Sequence, residues 1–141
     1  MRTLTGKTRI AGVFGWPVDH SRSPRLHGYW LRQLGIDGAY IPFATHPTAL
    51  EQAVRSLPAF GFRGGNVTLP HKERVLPLVD EATPVARRIG AVNTLVVRED
   101  GTILGDNTDG YGFLAHLAAT QPGWRGAAGP ACVLGAGGAA R

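Results

Sequence analysis

Short apolar runs recur along this chain and alternate with stretches whose apolar residues return every three or four positions. An apolar run of four to eight residues, bounded by glycine, proline or polar turns, is typical of a buried strand. Such runs cover residues 10–14, 39–43, 66–69, 91–98, 102–105 and 131–134. The sequence therefore predicts six short strands.

The stretches between these runs have helical periodicity. Ser23 as N-cap, Pro24 at the first helical position and Gly35 as terminator predict a first helix. Its apolar face contains Leu26, Trp30, Leu31 and Leu34. Thr48 and Glu51 have capping-box spacing and predict a second helix. Its buried side is expected to contain Leu50, Ala53, Val54 and Leu57.

Three further helical segments complete the pattern. Residues 72–79 are expected to be helical in part, with a break near Pro77. Thr83 and Pro84 predict a short helix that Gly90 closes. Residues 110–119 are predicted to be helical, with Phe113, Leu114 and Leu117 on the apolar face.

The order of these elements indicates the fold class. Strands that alternate with helices are typical of an α/β protein with three layers, in which helices cover a mostly parallel sheet. Residues 99–101 read as a tight turn between two adjacent runs, which predicts a hairpin. One strand of the sheet is therefore expected to be antiparallel to the others.

A glycine-rich segment follows the last predicted strand. Residues 135–140 read GAGGAA, which is G-x-G-x-x-A, and residues 125–130 are small and resemble a linker. This arrangement is typical of the opening of a Rossmann dinucleotide domain, although a glycine-rich tail would look the same. We predict one domain at residues 1–124, followed at 125–141 by a linker and the truncated start of a nucleotide-binding domain.

The central segment GGNVTLPHK, residues 64–72, combines a strand with a reactive side chain. Pro70 cannot continue a central ladder, so it ends the strand and places Lys72 at the start of the next element. Ligands bind outside the carboxyl ends of strands in open α/β sheets. Lys72 is therefore a candidate for chemistry, although a solvated lysine in a first helical turn has the same spacing.

Composition narrows the functional classes. The 141 residues carry a formal charge of +5, but the basic residues are scattered, which argues against nucleic-acid binding. Apolar runs are too short for a membrane helix. Cys132 is the single cysteine, which excludes an intramolecular disulfide and favours a reducing compartment. A cytoplasmic protein without nucleic-acid or membrane partners is expected.

Five motifs in order resemble the shikimate dehydrogenase family. They are SxSPxxH at 21–27, NVTxPxK at 66–72, GAVNT at 90–94, GxNTDxxG at 105–112 and GAGGAAR at 135–141. The resemblance runs from about Ile10 to Arg141. It implies the substrate-binding domain of an enzyme that reduces 3-dehydroshikimate to shikimate with NADPH, in a chain about twice as long, with a homodimer left open.

The resemblance also implies roles for individual residues. Lys72 and Asp109 would form the catalytic pair and contact substrate, and Thr68 and Asn93 would bind the ring hydroxyls. Ser21 and Ser23 would hold the substrate carboxylate. The start of the phosphate cradle for NADP would contain Gly135, Ala136, Gly137, Gly138 and Ala139. The residues that would select NADP over NAD lie outside this sequence.

Each of these residues also has a structural interpretation. Asp109 could cap the following helix, the two serines could serve loop and cap alone, and Thr68 and Asn93 could bond to local backbone. His27 reads as a packing or helix-surface residue rather than an acid or base. The five histidines have no metal-ligand spacing, so no metal site is expected.

These observations lead to one expected function and two alternatives. We expect an NADP-dependent shikimate dehydrogenase of the aromatic amino acid (chorismate) pathway, of which this chain is the substrate-binding part, without turnover alone. A quinate or quinate/shikimate dehydrogenase would keep the same lysine and aspartate. A stand-alone module that binds small acids would never meet a cofactor.

Overall fold

The computed structural model describes residues 4–124, 126, 132 and 134–138. The strands are β1 Arg9–Gly15, β2 Gly38–Ala44, β3 Phe62–Val67, β4 Glu81–Ala82, β5 Thr94–Val97 and β6 Ile103–Asp106. The helices are α1 Ser23–Gln33, α2 Leu50–Arg55, α3 Pro84–Ile89 and α4 Asp109–Thr120. Short 3₁₀ turns lie at Pro47–Ala49 and Leu76–Leu78.

The described strands form one sheet in the order β2-β1-β3-β5-β6-β4. β1 is parallel to both β2 and β3, and β4 is parallel to β6. β5 is antiparallel to β3 and to β6. Five strands thus point one way and β5 opposes them, which confirms the predicted α/β fold with one antiparallel hairpin strand.

Side chains that alternate along β1 lie in separate cores on the two faces of the sheet. Phe14 belongs to the larger core, which includes Leu50 and Val54 of α2 and Ala86 of α3. Val13 belongs to the smaller core, against which Leu31 of α1 packs. The sheet therefore lies between two helical layers, as predicted.

The third strand begins four residues earlier than predicted. The apolar pattern indicates residues 66–69, but β3 starts at Phe62 and ends at Val67. Gly64 and Gly65 look like a turn in the sequence, yet both pair with β5. Gly64 has φ of +144°, and a side chain there would collide with the backbone carbonyl of Leu95. Glycine at this position lets two strands approach closely.

Two other strand boundaries differ from the prediction. β5 starts at Thr94 rather than residue 91, because the preceding backbone makes other bonds: Val92 N–H donates to the carbonyl of Lys72 at 2.7 Å. Asn93 N–H donates to the carbonyl of Asp106 at 2.9 Å. The two-residue strand β4 is not predicted at all, since two residues are too few to show a period.

The start of α1 and its apolar face were predicted incorrectly. Ser23 is the first helical residue, and Arg22 holds the N-cap position. The predicted face is largely exposed, because Leu26, Trp30 and Leu34 keep 47%, 46% and 70% of their surface. Of the four predicted positions, Leu31 alone packs against a described core cluster.

The later helices differ in how well their caps were predicted. The Thr48–Glu51 capping box is wrong, since His46 accepts the Thr48 N–H and Glu51 pairs with Arg55. Leu50 and Val54 are buried in α2 as predicted. Thr83 caps α3 by accepting the Ala86 N–H, and left-handed Gly90 ends that helix. The predicted cap and terminator of α3 are therefore confirmed.

The C-terminal part is described only in pieces. Of the strand predicted at 131–134, Cys132 and Leu134 are described and lie outside any strand, and the other two positions fall outside the described residues. Gly135 to Gly138 are described, whereas Ala139 is not. Among the described helices, none has the length and apolar character needed to cross a bilayer.

Candidate functional site

A cleft of about 450 Å³ opens at the end of the sheet where the carboxyl ends of β1, β3 and β6 lie. Because β5 runs the opposite way, its first residues lie at the same end. The six residues predicted to bind substrate all line this cleft, and they are Ser21, Ser23, Thr68, Lys72, Asn93 and Asp109. The structure thus brings together groups that are up to 88 positions apart in the sequence (21 to 109).

Lys72 and Asp109 form an ion pair across the cleft. Lys72 Nζ donates to Asp109 Oδ2 at 2.6 Å. The lysine side chain is only 16% exposed, whereas the aspartate side chain is 45% exposed. The backbone carbonyl of Lys72 also accepts the Val92 N–H at 2.7 Å. The lysine is therefore anchored by its backbone carbonyl and by its amine, while the carboxylate remains partly exposed to a ligand.

Asn93 orients the carboxylate of Asp109. Its Nδ2 donates to Asp109 Oδ1 at 2.8 Å, and its Oδ1 accepts from Thr108 N–H at 3.0 Å and Thr94 Oγ1 at 2.8 Å. Because the amide oxygen accepts and the amide nitrogen donates, these partners fix the orientation of the amide. Both carboxylate oxygens of Asp109 are therefore engaged, one by Asn93 and the other by Lys72.

The loop before α4 presents Asp109 toward the cleft. Asn107 is almost completely buried, and its Nδ2 donates to the carbonyl of Ala91 at 3.0 Å. Its Oδ1 accepts the Asp109 N–H at 3.1 Å. Asp109 is the first residue of α4 and Thr108 holds the N-cap position. The capping interpretation of Asp109 is therefore wrong.

Another part of the cleft lining is suited to an anion. Ser21 and Ser23 belong to it, and Ser23 N–H donates to Ser21 Oγ at 3.3 Å. The first turn of α1 has no acidic residue, and Arg22 also lines the cleft. A helix N-terminus carries a partial positive charge that favours an anion. The cleft therefore combines groups that can hold a carboxylate with the amine of Lys72.

Two residues at the site, Asn66 and Tyr40, have no role predicted from the sequence. Asn66 lines the cleft, and Tyr40 lies behind it and donates to Asn66 Oδ1 at 2.7 Å. His27, interpreted as a packing or surface residue, also lines the cleft. The signal that could have found Asn66 is a polar residue inside an apolar strand, since such a residue needs a partner.

His71, beside Lys72, is completely buried. Its Nε2 donates to the carbonyl of Thr45 at 2.8 Å, and within the described part of the chain its Nδ1 has no partner. Burial lowers the pKa of His71 from its usual value near 6.5, the bond to Thr45 opposes this shift, and the charge of Arg74 adds to it. The folded protein therefore holds this imidazole neutral.

We expect the chain to lose stability as the pH falls below about 6.5, where unfolded histidine takes up a proton that folded His71 resists. Melting temperatures measured from neutral to mildly acidic pH check this. The melting temperature of the His71→Phe variant should fall less steeply with decreasing pH than that of the parent. Replacement of exposed His116 by glutamine should leave this pH dependence unchanged. Equal slopes in the parent and His71→Phe would contradict the prediction.

A second cavity, of about 430 Å³, adjoins the cleft and shares Thr68 and Lys72 with it. Gly137 and Gly138 of the glycine-rich segment line its other side. A Cβ atom at Gly138 would lie 3.0 Å from the Cβ of Lys72, so only glycine fits there without displacement. The described part of the segment therefore packs closely against the side chain of Lys72.

Metal ligation has no support in the described part of the chain. Among those residues, no group of three or more histidine, cysteine, aspartate or glutamate side chains could hold a metal ion. Two histidines near the site have other contacts: His71 donates to a carbonyl and His27 stacks on Tyr40.

Known proteins are similar to this chain in sequence and in fold. The family profile described as the shikimate dehydrogenase substrate binding domain matches residues 13–95, which is more than half of the chain. The chain belongs to the shikimate dehydrogenase substrate-binding domain family. Thr68, Lys72 and Asn93 of the cleft lie within the matched range, whereas Asp109 follows it.

Individual shikimate dehydrogenases are closely similar in sequence to this chain. Shikimate dehydrogenase (NADP(+)) of Paramagnetospirillum magneticum is 64% identical over 98% of this chain and 50% of its own length. The enzyme of the same name from Rhodospirillum rubrum is 64% identical, over 98% and 49%. The chain thus spans about half the length of the curated relatives it matches.

A solved structure has the same fold. The crystal structure of shikimate 5-dehydrogenase from Thermus thermophilus in complex with shikimate superimposes with a TM-score of 0.85 and 44% identity. The match covers 94% of this chain and 49% of that chain. The predicted family and fold are therefore confirmed.

Proposed function

We propose that this chain is the substrate-binding part of an NADP-dependent shikimate dehydrogenase, which interconverts 3-dehydroshikimate and shikimate in aromatic amino acid biosynthesis. One observation carries the proposal: the 2.6 Å pair of Lys72 and Asp109 lines the same cleft as Ser21 and Ser23. A small ring acid that carries both a carboxylate and hydroxyl groups has a partner for each group in such a cleft.

The carboxylate and hydroxyl groups of shikimate match different residues. We assign the carboxylate to the hydroxyls of Ser21 and Ser23 at the N-terminus of α1, where the partial charge favours an anion. We assign ring hydroxyls to Thr68 and Asn93, which also line the cleft. Asp109 accepts a further hydroxyl, since its carboxylate is only partly shielded.

Lys72 donates or accepts the proton in the proposed reaction, depending on its direction. When NADPH is bound, it supplies a hydride to the ketone carbon of 3-dehydroshikimate. The carbonyl oxygen then needs a proton, and the ammonium of Lys72 is the donor at the cleft. In the reverse direction the neutral amine removes the hydroxyl proton of shikimate. Asp109 holds Nζ in place and stabilises its charged form.

The glycine-rich segment is the proposed start of the phosphate cradle. Gly135, Ala136, Gly137, Gly138 and Ala139 would approach the pyrophosphate of NADP through their backbone N–H groups. The position of Gly137 and Gly138 beside Lys72 supports this assignment, because it places the glycine-rich segment next to the proposed proton donor. The names of the relatives favour NADP over NAD.

The proposal is tested by joining this chain to the second half of the Paramagnetospirillum magneticum relative. We expect the chimera to form NADPH from shikimate and NADP, which absorbance measures directly. The 141-residue chain alone should form none, because it holds only the start of a cofactor site. NADPH formation by the chain alone would contradict the two-domain requirement, and a folded but inactive chimera would contradict the proposed activity.

Two alternatives have separate outcomes in the same experiment. A chimera that oxidises quinate as efficiently as shikimate would be a quinate/shikimate dehydrogenase. A chain that binds shikimate by calorimetry, but whose chimera never reduces NADP, would be a small-acid binding module. The relatives named for shikimate and NADP favour the dehydrogenase.

The remaining assignments concern location and partners. The single cysteine, Cys132, is free and exposed, which favours a reducing compartment, and we propose the cytoplasm. We propose no nucleic-acid or membrane partner, because the basic residues form no run. A homodimer is proposed only for the complete enzyme.

A further inference from the structure

Tyr40 lies behind the wall of the cleft and contacts two of the residues that form it. It is on β2 and retains 9% of its surface. Its hydroxyl donates to Asn66 Oδ1 at 2.7 Å. Its ring stacks on His27, with the ring centroids 3.9 Å apart and an interplanar angle of 5°. Asn66 and His27 both line the cleft.

His27, which stacks on Tyr40, connects it to Ser23. His27 Nδ1 donates to the carbonyl of Ser23 at 2.9 Å, which fixes the ring to the first turn of α1. Burial raises the pKa of Tyr40 to about 12, and a contact with the Ser23 side chain opposes that rise. The phenol therefore stays protonated at physiological pH and remains a hydrogen-bond donor.

Asn66 connects Tyr40 to Asn93, which binds Asp109. Its Nδ2 lies 3.3 Å from the carbonyl of Asn93 and 3.4 Å from Thr94 Oγ1, so these bonds are long and weak. The short bond from Tyr40 is therefore the contact that decides which way the Asn66 amide faces. Asn93 in turn holds Asp109 at 2.8 Å.

We infer that Tyr40 is a positioning residue for shikimate binding: it sets the orientation of Asn66 and the placement of the Ser23 turn, both of which line the cleft. The inference rests on the proposed function. Tyr40 itself is not among the residues that line the cleft, so its effect passes through Asn66 and His27. If Tyr40 merely filled the core, its hydroxyl would matter for stability but not for substrate affinity.

The test uses the two-domain chimera and the substitution Tyr40→Phe, which keeps the ring and its stacking. Loss of one neutral hydrogen bond is expected to raise KM for shikimate by about 3-fold to 10-fold. Because Tyr40 does not touch the reacting atoms, kcat should change by less than about 2-fold. KM for NADP should not change.

Tyr29→Phe is the matched control. Tyr29 lies on α1, keeps 51% of its surface and does not line the cleft. The same chemical change there should leave both KM values unaltered. Melting temperatures of both variants separate a loss of stability from a loss of substrate affinity, since a purely structural role would not raise one KM alone.

A double substitution tests whether the effect passes through Asn66. Asn66→Ala removes the acceptor, so adding Tyr40→Phe to it should raise KM for shikimate by less than Tyr40→Phe does in the parent. If Tyr40→Phe fails to fold, Asn66→Ala gives the same readout, with KM for shikimate raised and KM for NADP unchanged. Independent, multiplying effects would overturn the proposed route.

The outcomes separate this inference from the proposed function. An active parent chimera whose Tyr40→Phe variant keeps the parental KM for shikimate overturns the role of Tyr40 alone. A folded parent chimera that neither binds nor oxidises shikimate overturns the proposed function and the role of Tyr40 with it.

Discussion

Replacing Lys72 by alanine in the two-domain chimera is expected to lower kcat for shikimate oxidation by about 100-fold to 10,000-fold, the range typical of a lost general acid or base. Lys72 Nζ is the amine that lines the cleft, and it is only 16% exposed. Its removal leaves Asp109 Oδ2 without its 2.6 Å donor. Steady-state rates measured by NADPH absorbance check the loss.

The chain offers a matched control for Lys72. Its sequence contains one other lysine, Lys7, which is exposed near the N-terminus and does not line the cleft. Lys7→Ala should retain the parental rate. Near-normal turnover by a folded Lys72→Ala chimera would assign proton transfer to another group.

Replacing Asp109 by asparagine is expected to lower kcat/KM for shikimate by about 100-fold or more, because a positioned acceptor is lost from the proton-transfer pair. Asp109 accepts from two donors at once, Asn93 Nδ2 at 2.8 Å and Lys72 Nζ at 2.6 Å. The asparagine amide has one oxygen and one NH₂ group. One of the two donors must then face another donor.

Asp100→Asn is the control for this substitution. Asp100 is exposed in the hairpin turn and accepts from Thr102 N–H at 2.9 Å, which an amide oxygen can also do. Its kcat/KM should match the parent. A folded Asp109→Asn chimera with a loss below about 3-fold would show that the carboxylate does not orient Lys72, since that loss is within reach of a single neutral hydrogen bond.

The sequence predicts those parts of the fold that follow from local chemistry. Apolar runs locate β1 and β2 to within a residue or two, and Thr83 and Gly90 locate both ends of α3, since caps are decided by one or two side chains. The six cleft residues were named from motifs. Their convergence depends on the sheet order, which no local pattern contains.

The features that the sequence does not predict depend on contacts between distant residues. Gly64 looks like a turn because the close approach of Leu95 that requires glycine involves a residue 31 positions later (64 to 95). The apolar face of α1 looks like core, yet only Leu31 of its four predicted positions packs there among the described residues. Tyr40 looks like an ordinary strand aromatic until its hydroxyl is seen on Asn66.

The reversed direction of β5 has a practical consequence. It places Asn93 at the end of the sheet that contains the cleft. The hairpin turn, residues 98–102, therefore lies at the opposite end of the strands. Asp100 in that turn is exposed, and Gly101 has φ of +83°. A fluorophore, an affinity tag or a surface linker attached there would report on the protein or immobilise it without obstructing entry of small molecules on the other side.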